Sequence, residues 1–337
     1  MLILHTQING NGGIPRFNRN LNKLFPKATV LSLNDPTPLG SRKNKLKYVL
    51  KVFFHTLINR PAIVIIGHLN FLPLARLKLL MRRTKFVMIL HGIEAWERNV
   101  SFSKYISYIT EYWAVSDYTK NRFQDAYQLS PQKVKRIFNT LPEDWPQHSG
   151  TYNNFFLSVS RLDSNEKYKG IEETLRAMSF IKKTIEENEF KYVIVASGDD
   201  LDRHKQLVHE LNIEQLVVFK SSITDEDLQT LYKNCSFFIL PSTGEGFGIV
   251  YLEAMAMEKP CIGARNCGAE TVIEHHKTGY LVDRDPAKIG DLMQELIINK
   301  ALCLSLGKAG RDKLNKDFTF SKFKIRINQL VEGLTNS

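Results

Sequence analysis

The sequence predicts two consecutive α/β domains, each a parallel sheet wound with helices on both faces. Two observations carry this expectation. Short apolar runs alternate with longer amphipathic stretches, and the alternation stops and restarts once. In the first half, residues 2–4, 29–33, 63–66, 86–90 and 112–115 read as strands. In the second, residues 155–159, 192–196, 216–219, 237–240 and 260–263 do. The break falls at Leu141-Pro-Glu-Asp-Trp-Pro-Gln-His-Ser-Gly150, where two prolines and a glycine interrupt both periodicities. The expected domains are 1–146 and 147–317.

A chain of 337 residues is long enough for two cores, and 43% hydrophobic with 24% charged residues is the balance of a globular protein. The run Ala62-Ile-Val-Ile-Ile66 is strand-length, far short of the roughly 18–20 apolar residues that cross a membrane. Met1-Leu-Ile-Leu4 leads straight into a polar turn, so the expectation is a protein that stays in the cytoplasm. The 4 cysteines lack CxxC spacing and fit a reducing compartment. Cys261, Cys267, His275 and His276 match no zinc spacing, and no metal is expected.

The formal charge of +11 is the main compositional clue to partners, since a basic protein favours nucleic acid, anionic membrane or a phosphorylated substrate. The excess lies before residue 140, as in Arg42, Lys43, Lys45, Lys47, Lys51, Arg76, Lys78, Arg82, Arg83 and Lys85. Residues 45–58 read as an amphipathic helix, with Leu46, Val49, Leu50, Phe53, Phe54, Leu57 and Ile58 at helical spacing. That stripe is expected to pack on the first sheet. The off-stripe Lys45, Lys47 and Lys51 would be left to rest on an anionic membrane surface.

The chemistry concentrates in Leu240-Pro-Ser-Thr-Gly-Glu-Gly-Phe-Gly-Ile-Val-Tyr-Leu-Glu-Ala-Met-Ala256. A strand, a glycine-rich turn and a helix start near Phe247 or Gly248 make a site for an anion, through unpaired N–H groups and the helix dipole. Glu245 lies in the turn and Glu253 on the helix, and a carboxylate can accept several hydrogen bonds. In Val159-Ser-Arg-Leu-Asp-Ser-Asn-Glu-Lys-Tyr-Lys-Gly170, a strand ends on Arg161 and a helix follows Gly170, with Leu175 and Met178 inward.

These segments resemble the retaining family 4 glycosyltransferases, whose E-x7-E spacing Glu245 and Glu253 reproduce. The resemblance implies the GT-B fold: two doubly wound Rossmann-like domains facing a central cleft. Residues 318–337 look like the family's last helix, which crosses back to the N-terminal domain. By the same resemblance, residues 1–146 would be the acceptor side and 147–317 would bind the nucleotide-sugar. Glu245 would contact the donor sugar and Glu253 the ribose, with Gly246, Phe247, Gly248 and Ile249 around the donor. Arg161 and Lys169 would hold the diphosphate, Lys167 being a possible substitute, because fixed cations stabilise the charge left on the leaving group. The turn Asn9-Gly-Asn-Gly-Gly-Ile-Pro-Arg16 resembles the family's Gly-Gly-x-x-Arg loop and places Gly12, Gly13 and Arg16 near the donor. His91, in Val87-Met-Ile-Leu-His-Gly-Ile-Glu94, occupies the family's sugar-contacting position.

Other segments carry less. Ser197-Gly-Asp-Asp200 lacks the family's second glycine, which puts nucleotide contact by Asp199 in doubt; residues 219–224, before a helix capped by Thr224, sit where the family holds the base. Asp283-Arg-Asp285 is a D-x-D string that reads as coincidence in a surface loop. A glycoside hydrolase needs carboxylates about 5–9 Å apart, whereas eight helical residues span about 12 Å. A nucleic-acid-binding protein would want interleaved aromatics, and an inactive GT-B partner need not keep Arg161, Lys169, Glu245 and Glu253 together. The expected protein is therefore a metal-independent, retaining hexosyltransferase without a cofactor. It would use a nucleotide-diphospho-sugar and a glycan or lipid-linked acceptor in surface polysaccharide assembly. It would touch no nucleic acid and would rest on the cytoplasmic face of the inner membrane.

Overall fold

The computed structural model describes residues 1–10, 12–34 and 42–336. Asn11 of the first glycine-rich turn and the side chains of Arg42 and Lys43 lie outside the described residues. The chain divides into two compact units, Met1–Pro142 with the segment from Phe320 onward, and Glu143–Thr319.

The first unit holds β1 (Leu2–His5), β2 (Thr29–Ser32), β3 (Ile63–Ile66), β4 (Lys85–Leu90), β5 (Glu111–Ala114) and β6 (Val134–Arg136). They form one parallel sheet in the order β2-β1-β3-β4-β5-β6. The second unit holds β7 (Phe155–Arg161), β8 (Lys191–Ser197), β9 (Val217–Lys220), β10 (Phe237–Leu240), β11 (Cys261–Ala264) and β12 (Gly279–Val282). Their order is β12-β11-β10-β7-β8-β9, again all parallel. Strands such as Ile63–Ile66 and Phe237–Leu240 are apolar throughout and buried throughout, as helices on both faces of a parallel sheet require. The doubly wound class read from the sequence is the one adopted.

Three sequence readings need correction. First, β6 and β12 are not among the expected strands: β6 is Val134-Lys-Arg136, too short and charged to show a period, and β12 is a four-residue strand that runs directly into Asp283-Arg-Asp285. Gly279–Val282 is buried and pairs with β11. Second, Asp283-Arg-Asp285 is structural. Asp285 caps the helix Pro286–Ile298 by accepting from Ala287 N, and Arg284 pairs with Glu173 and donates to Lys167 O at 3.0 Å. Third, the helix Arg42–Asn59 presents a different face to its sheet. Tyr48, Val52 and Thr56 are buried, whereas Leu46, Val49, Leu50, Phe54 and Ile58 face solvent. The inner side chains are held individually: the Tyr48 ring stacks on Phe71 at 5.2 Å, its hydroxyl donates to Leu31 O, and the Thr56 hydroxyl donates to Val52 O.

The closing helix Phe320–Thr335 packs on the first unit. Phe323 is fully buried with its ring edge-on to Phe17 at 5.7 Å. Arg326 donates to Ile137 O at 3.2 Å and lies over the Phe138 ring. Phe323→Ala should lower the unfolding free energy of this unit by about 3 kcal/mol or more. Ile325→Ala, at a side chain 53% exposed, should change it by less than about 0.5 kcal/mol. Denaturant melts of the two variants check this.

Candidate active site

In an open parallel sheet, ligands bind beyond the carboxyl ends of the strands where the strand order reverses, because the loops there part to opposite sides. In the second sheet that point lies between β7 and β10, the neighbours from which the order runs outward both ways. The loop after β7 carries Arg161 to Gly170, and the loop after β10 carries Pro241 to Gly248. The two richest segments of the sequence therefore meet at the one place where the topology opens a crevice.

Lys169 and Glu245 join these loops. Lys169 Nζ donates to Glu245 Oε1 at 2.9 Å, with the two side chains only 20% and 14% exposed. Burial pulls the Lys169 pKa down, but the charge and hydrogen bond of Glu245, with smaller help from Tyr168 and Glu166, carry it above its ordinary value. Close packing of the two backbones makes the pair possible. Thr243 N donates to Tyr168 O at 3.1 Å. A Cβ on Gly170 would lie 2.4 Å from Pro241 O, and one on Gly244 would lie 2.2 Å from the Tyr168 ring, so only glycine fits at either position. From the other side, Gly268 N donates to Glu245 O at 2.6 Å.

Each remaining residue expected in this half has a definite place. Lys167 is exposed and offers its carbonyl to Arg284, so the structure brings Lys169, not Lys167, to Glu245. Arg161, at the end of β7, is exposed and bonds the Glu166 carboxylate within its own loop. Gly248 caps the helix Ile249–Ala256, and Gly246 lies half-buried in the turn before it. The Phe247 side chain is buried edge-on to Phe318 and Ile249 is buried too, so the turn offers a ligand its carboxylate and backbone rather than these side chains. Glu253 is 2% exposed on the same helix and accepts from the Tyr232 hydroxyl at 2.7 Å. Asp199 accepts from Ser164 N at 2.8 Å and Ser164 Oγ at 3.0 Å, which holds the turn after β7. Thr224 caps the helix Asp225–Asn234 in a capping box with Asp227. Glu166, Tyr168 and Tyr232 were missed by the sequence reading. Only the opposite charges of Arg161 and Glu166 in one short loop offered a signal for any of them.

In the first unit, Gly12 precedes the helix Gly13–Leu24, and its carbonyl accepts from Arg16 N at 3.2 Å. His91 follows β4. Its backbone N–H donates to Glu94 Oε1 at 2.6 Å, and its ring meets Phe17 edge-on at 5.1 Å, beside Arg16 on that helix. Gly67 O lies 2.9 Å from Nε2. A carbonyl can only accept, so Nε2 carries the proton and Nδ1 the lone pair. Burial lowers the His91 pKa to about 4; Glu94 opposes the shift and His68 adds to it. A neutral ring with an acceptor nitrogen suits a hydroxyl ligand.

The 4 cysteines are free and buried, and burial pushes Cys235, Cys267 and Cys303 up to about 12, so their thiols stay protonated. His275 Nδ1 accepts from Leu281 N at 3.1 Å. Among the described residues no group of His, Cys, Asp and Glu side chains could hold a metal ion, and no helix is long and apolar enough to cross a membrane.

Residues 143–313, just over half the chain, match the family described as glycosyl transferases group 1. The chain belongs to that family, in agreement with the family 4 resemblance in its motifs. It is 29% identical over 190 residues to the alpha-1,3/1,6-mannosyltransferase ALG2 of Mus musculus, covering 53% of this chain and 45% of that one. It is 26% identical over 238 residues to a GDP-mannose-dependent alpha-(1-6)-phosphatidylinositol monomannoside mannosyltransferase of Mycobacterium tuberculosis, covering 65% and 60%. The matched stretches thus span only about half of these curated relatives. Among solved structures, Anabaena HepE in complex with UDP-glucose superposes with a TM-score of 0.81 at 17% identity, covering 98% of this chain and 99% of the other. That likeness identifies the fold as GT-B.

Two outcomes follow from this geometry. Lys169→Ala should abolish the thermal stabilisation given by a nucleoside diphosphate and Lys167→Ala should retain it, as differential scanning fluorimetry would show. For His91, the folded-state pKa of about 4 lies below the ordinary imidazole value of 6.5. Between those pH values the unfolded chain binds a proton that the folded chain does not, so stability is full above the window and falls as pH drops through it. The His91 contribution should be on the order of 3 kcal/mol, and His91→Gln should flatten that part of the stability–pH curve.

Proposed function

We propose that this protein is a retaining hexosyltransferase that takes a nucleotide-diphospho-sugar as donor and a glycan or lipid-linked glycan as acceptor. The observation that carries the reading is the Lys169–Glu245 pair at the strand-order reversal, which ties the loop after β7 to the E-x7-E segment of a group 1 glycosyl transferase. Lys169 has two further N–H groups for a phosphate oxygen while it keeps Glu245, and Arg161 can share its guanidinium between Glu166 and the same diphosphate. Glu245 accepts from donor-sugar hydroxyls, Glu253 from the ribose, and Nδ1 of His91 from another sugar hydroxyl. Gly12, Gly13 and Arg16 border the donor phosphates.

In the proposed reaction the acceptor oxygen attacks the anomeric carbon from the face the diphosphate leaves. The bond from that carbon to the diphosphate oxygen breaks with both electrons going to the leaving group. The acceptor proton passes to a diphosphate oxygen, so no enzyme nucleophile is used and the anomeric configuration is kept. Lys169 and Arg161 stabilise the charge that builds on the leaving group, and this work is assigned to them without a metal ion. The use of GDP-mannose by one relative and the UDP-glucose bound in HepE make GDP- and UDP-hexoses the donors to try first. The basic first half favours an acceptor at an anionic membrane, as in surface polysaccharide assembly on the cytoplasmic face.

Arg161→Ala should cut turnover by about a hundredfold or more with a melting temperature near that of the parent. Glu245→Ala should cut it at least as far with a lowered melting temperature, since it leaves Lys169 unpaired, and a chelator should leave the parent's turnover unchanged. Nuclear magnetic resonance of the fresh product should show the donor's anomeric configuration. Full activity in both variants, or an inverted product, would overturn the assignment.

A further inference from the structure

The helix Arg42–Asn59 carries two apolar faces, and the larger one is uncovered. Leu46, Phe54 and Ile58 are 60%, 57% and 76% exposed, with Val49 and Leu50 beside them, while the opposite face (Tyr48, Val52, Thr56) is sealed against the sheet. At a rise of about 1.5 Å per residue the exposed stripe runs most of the length of an 18-residue helix. Exposed apolar surface of this extent, on a helix already anchored on its other side, is the mark of an interaction site.

The charge around the stripe selects the partner. Lys45, Lys47 and Lys51 are exposed on the same helix, and its sequence contains no acidic residue. A second copy of this chain meeting the stripe about a two-fold axis would bring two sets of lysines together with no carboxylate between them. An anionic lipid surface satisfies both features, since acyl chains take the apolar side chains and head groups the ammonium groups. The helix connects the end of β2 to the start of β3, so it begins at the carboxyl end of the first sheet. Gly12, Gly13 and His91 follow strands at that same end.

We infer that the exposed stripe of this helix inserts into an anionic bilayer surface and lies in its plane, with Lys45, Lys47 and Lys51 at the head groups. This deepens the membrane-facing part of the proposed function and rests on it for its purpose, the delivery of a lipid-linked acceptor to the first unit. It reverses the orientation read from the sequence, in which the lysines alone would have met lipid.

Vesicle flotation of the whole protein provides the test. The parent should float with vesicles of phosphatidylcholine and phosphatidylglycerol and not with phosphatidylcholine alone. Leu50→Gln combined with Phe54→Gln should weaken that binding by about tenfold or more, even at low salt. Lys47→Ser combined with Lys51→Ser should instead erase the preference for anionic vesicles. Both double variants should keep the parent's thermal shift with UDP or GDP, which reads the donor site independently of lipid. The inference is overturned if the parent ignores anionic vesicles or if the Leu50/Phe54 variant binds them as the parent does. It is equally overturned if light scattering finds a lipid-free dimer that this variant dissolves.

Discussion

The crevice of the second unit, at its strand-order reversal, is organised around one ion pair, Lys169 with Glu245. Lys169 is mostly withdrawn from water, which is tolerable only because Glu245 meets it at 2.9 Å. The partners come from loops that follow different strands, so the pair exists only if the sheet places β7 beside β10 and the loops touch backbone to ring. Gly170 and Gly244 allow that contact, Tyr168 fills it, and Gly268 fixes the Glu245 carbonyl from behind. Loss of either partner would leave a buried charge without compensation, so the arrangement tolerates little substitution.

A cation already paired to a carboxylate is also a sound place to receive a diphosphate. The carboxylate holds the ammonium in position before the ligand arrives, so little reorganisation is needed when negative charge develops. Arg161 stands in the same relation to Glu166, although on the exposed side of its loop. In the first unit the contrast is useful: His91 is held neutral by burial and presents a lone pair, which fits hydroxyl recognition rather than a charged role. Paired cations suit phosphate, and a neutral ring nitrogen suits a hydroxyl.

Much of this is legible in the sequence. Buried parallel strands announce themselves as short apolar runs, and a glycine-rich turn between a strand and a helix is visible as letters. Pairings that depend on three-dimensional register are not. The family resemblance favours Lys169 and leaves Lys167 as a substitute; it is the 3₁₀ turn Lys167–Lys169 and the docking of Tyr168 on Gly244 that turn Lys169 to Glu245. Helical periodicity likewise found the seven-residue stripe of 45–58 but not its direction. Tyr48, Val52 and Thr56 make a narrower stripe that looks less apolar, yet each polar atom in it has a local partner. Burying it costs little, and the larger stripe is left outward. Strand β6, with Lys135 and Arg136 on an edge, has no pattern to read at all.

The central claim is that Lys169, held by Glu245, binds a diphosphate. Calorimetric titration of UDP and of uridine into the parent and Lys169→Met (or of GDP and guanosine, if the guanine series binds) tests it most directly. The account requires the diphosphate to bind far more tightly than the nucleoside in the parent, and that advantage to collapse in Lys169→Met while nucleoside binding is unchanged. An undiminished diphosphate advantage in a correctly folded Lys169→Met would contradict it.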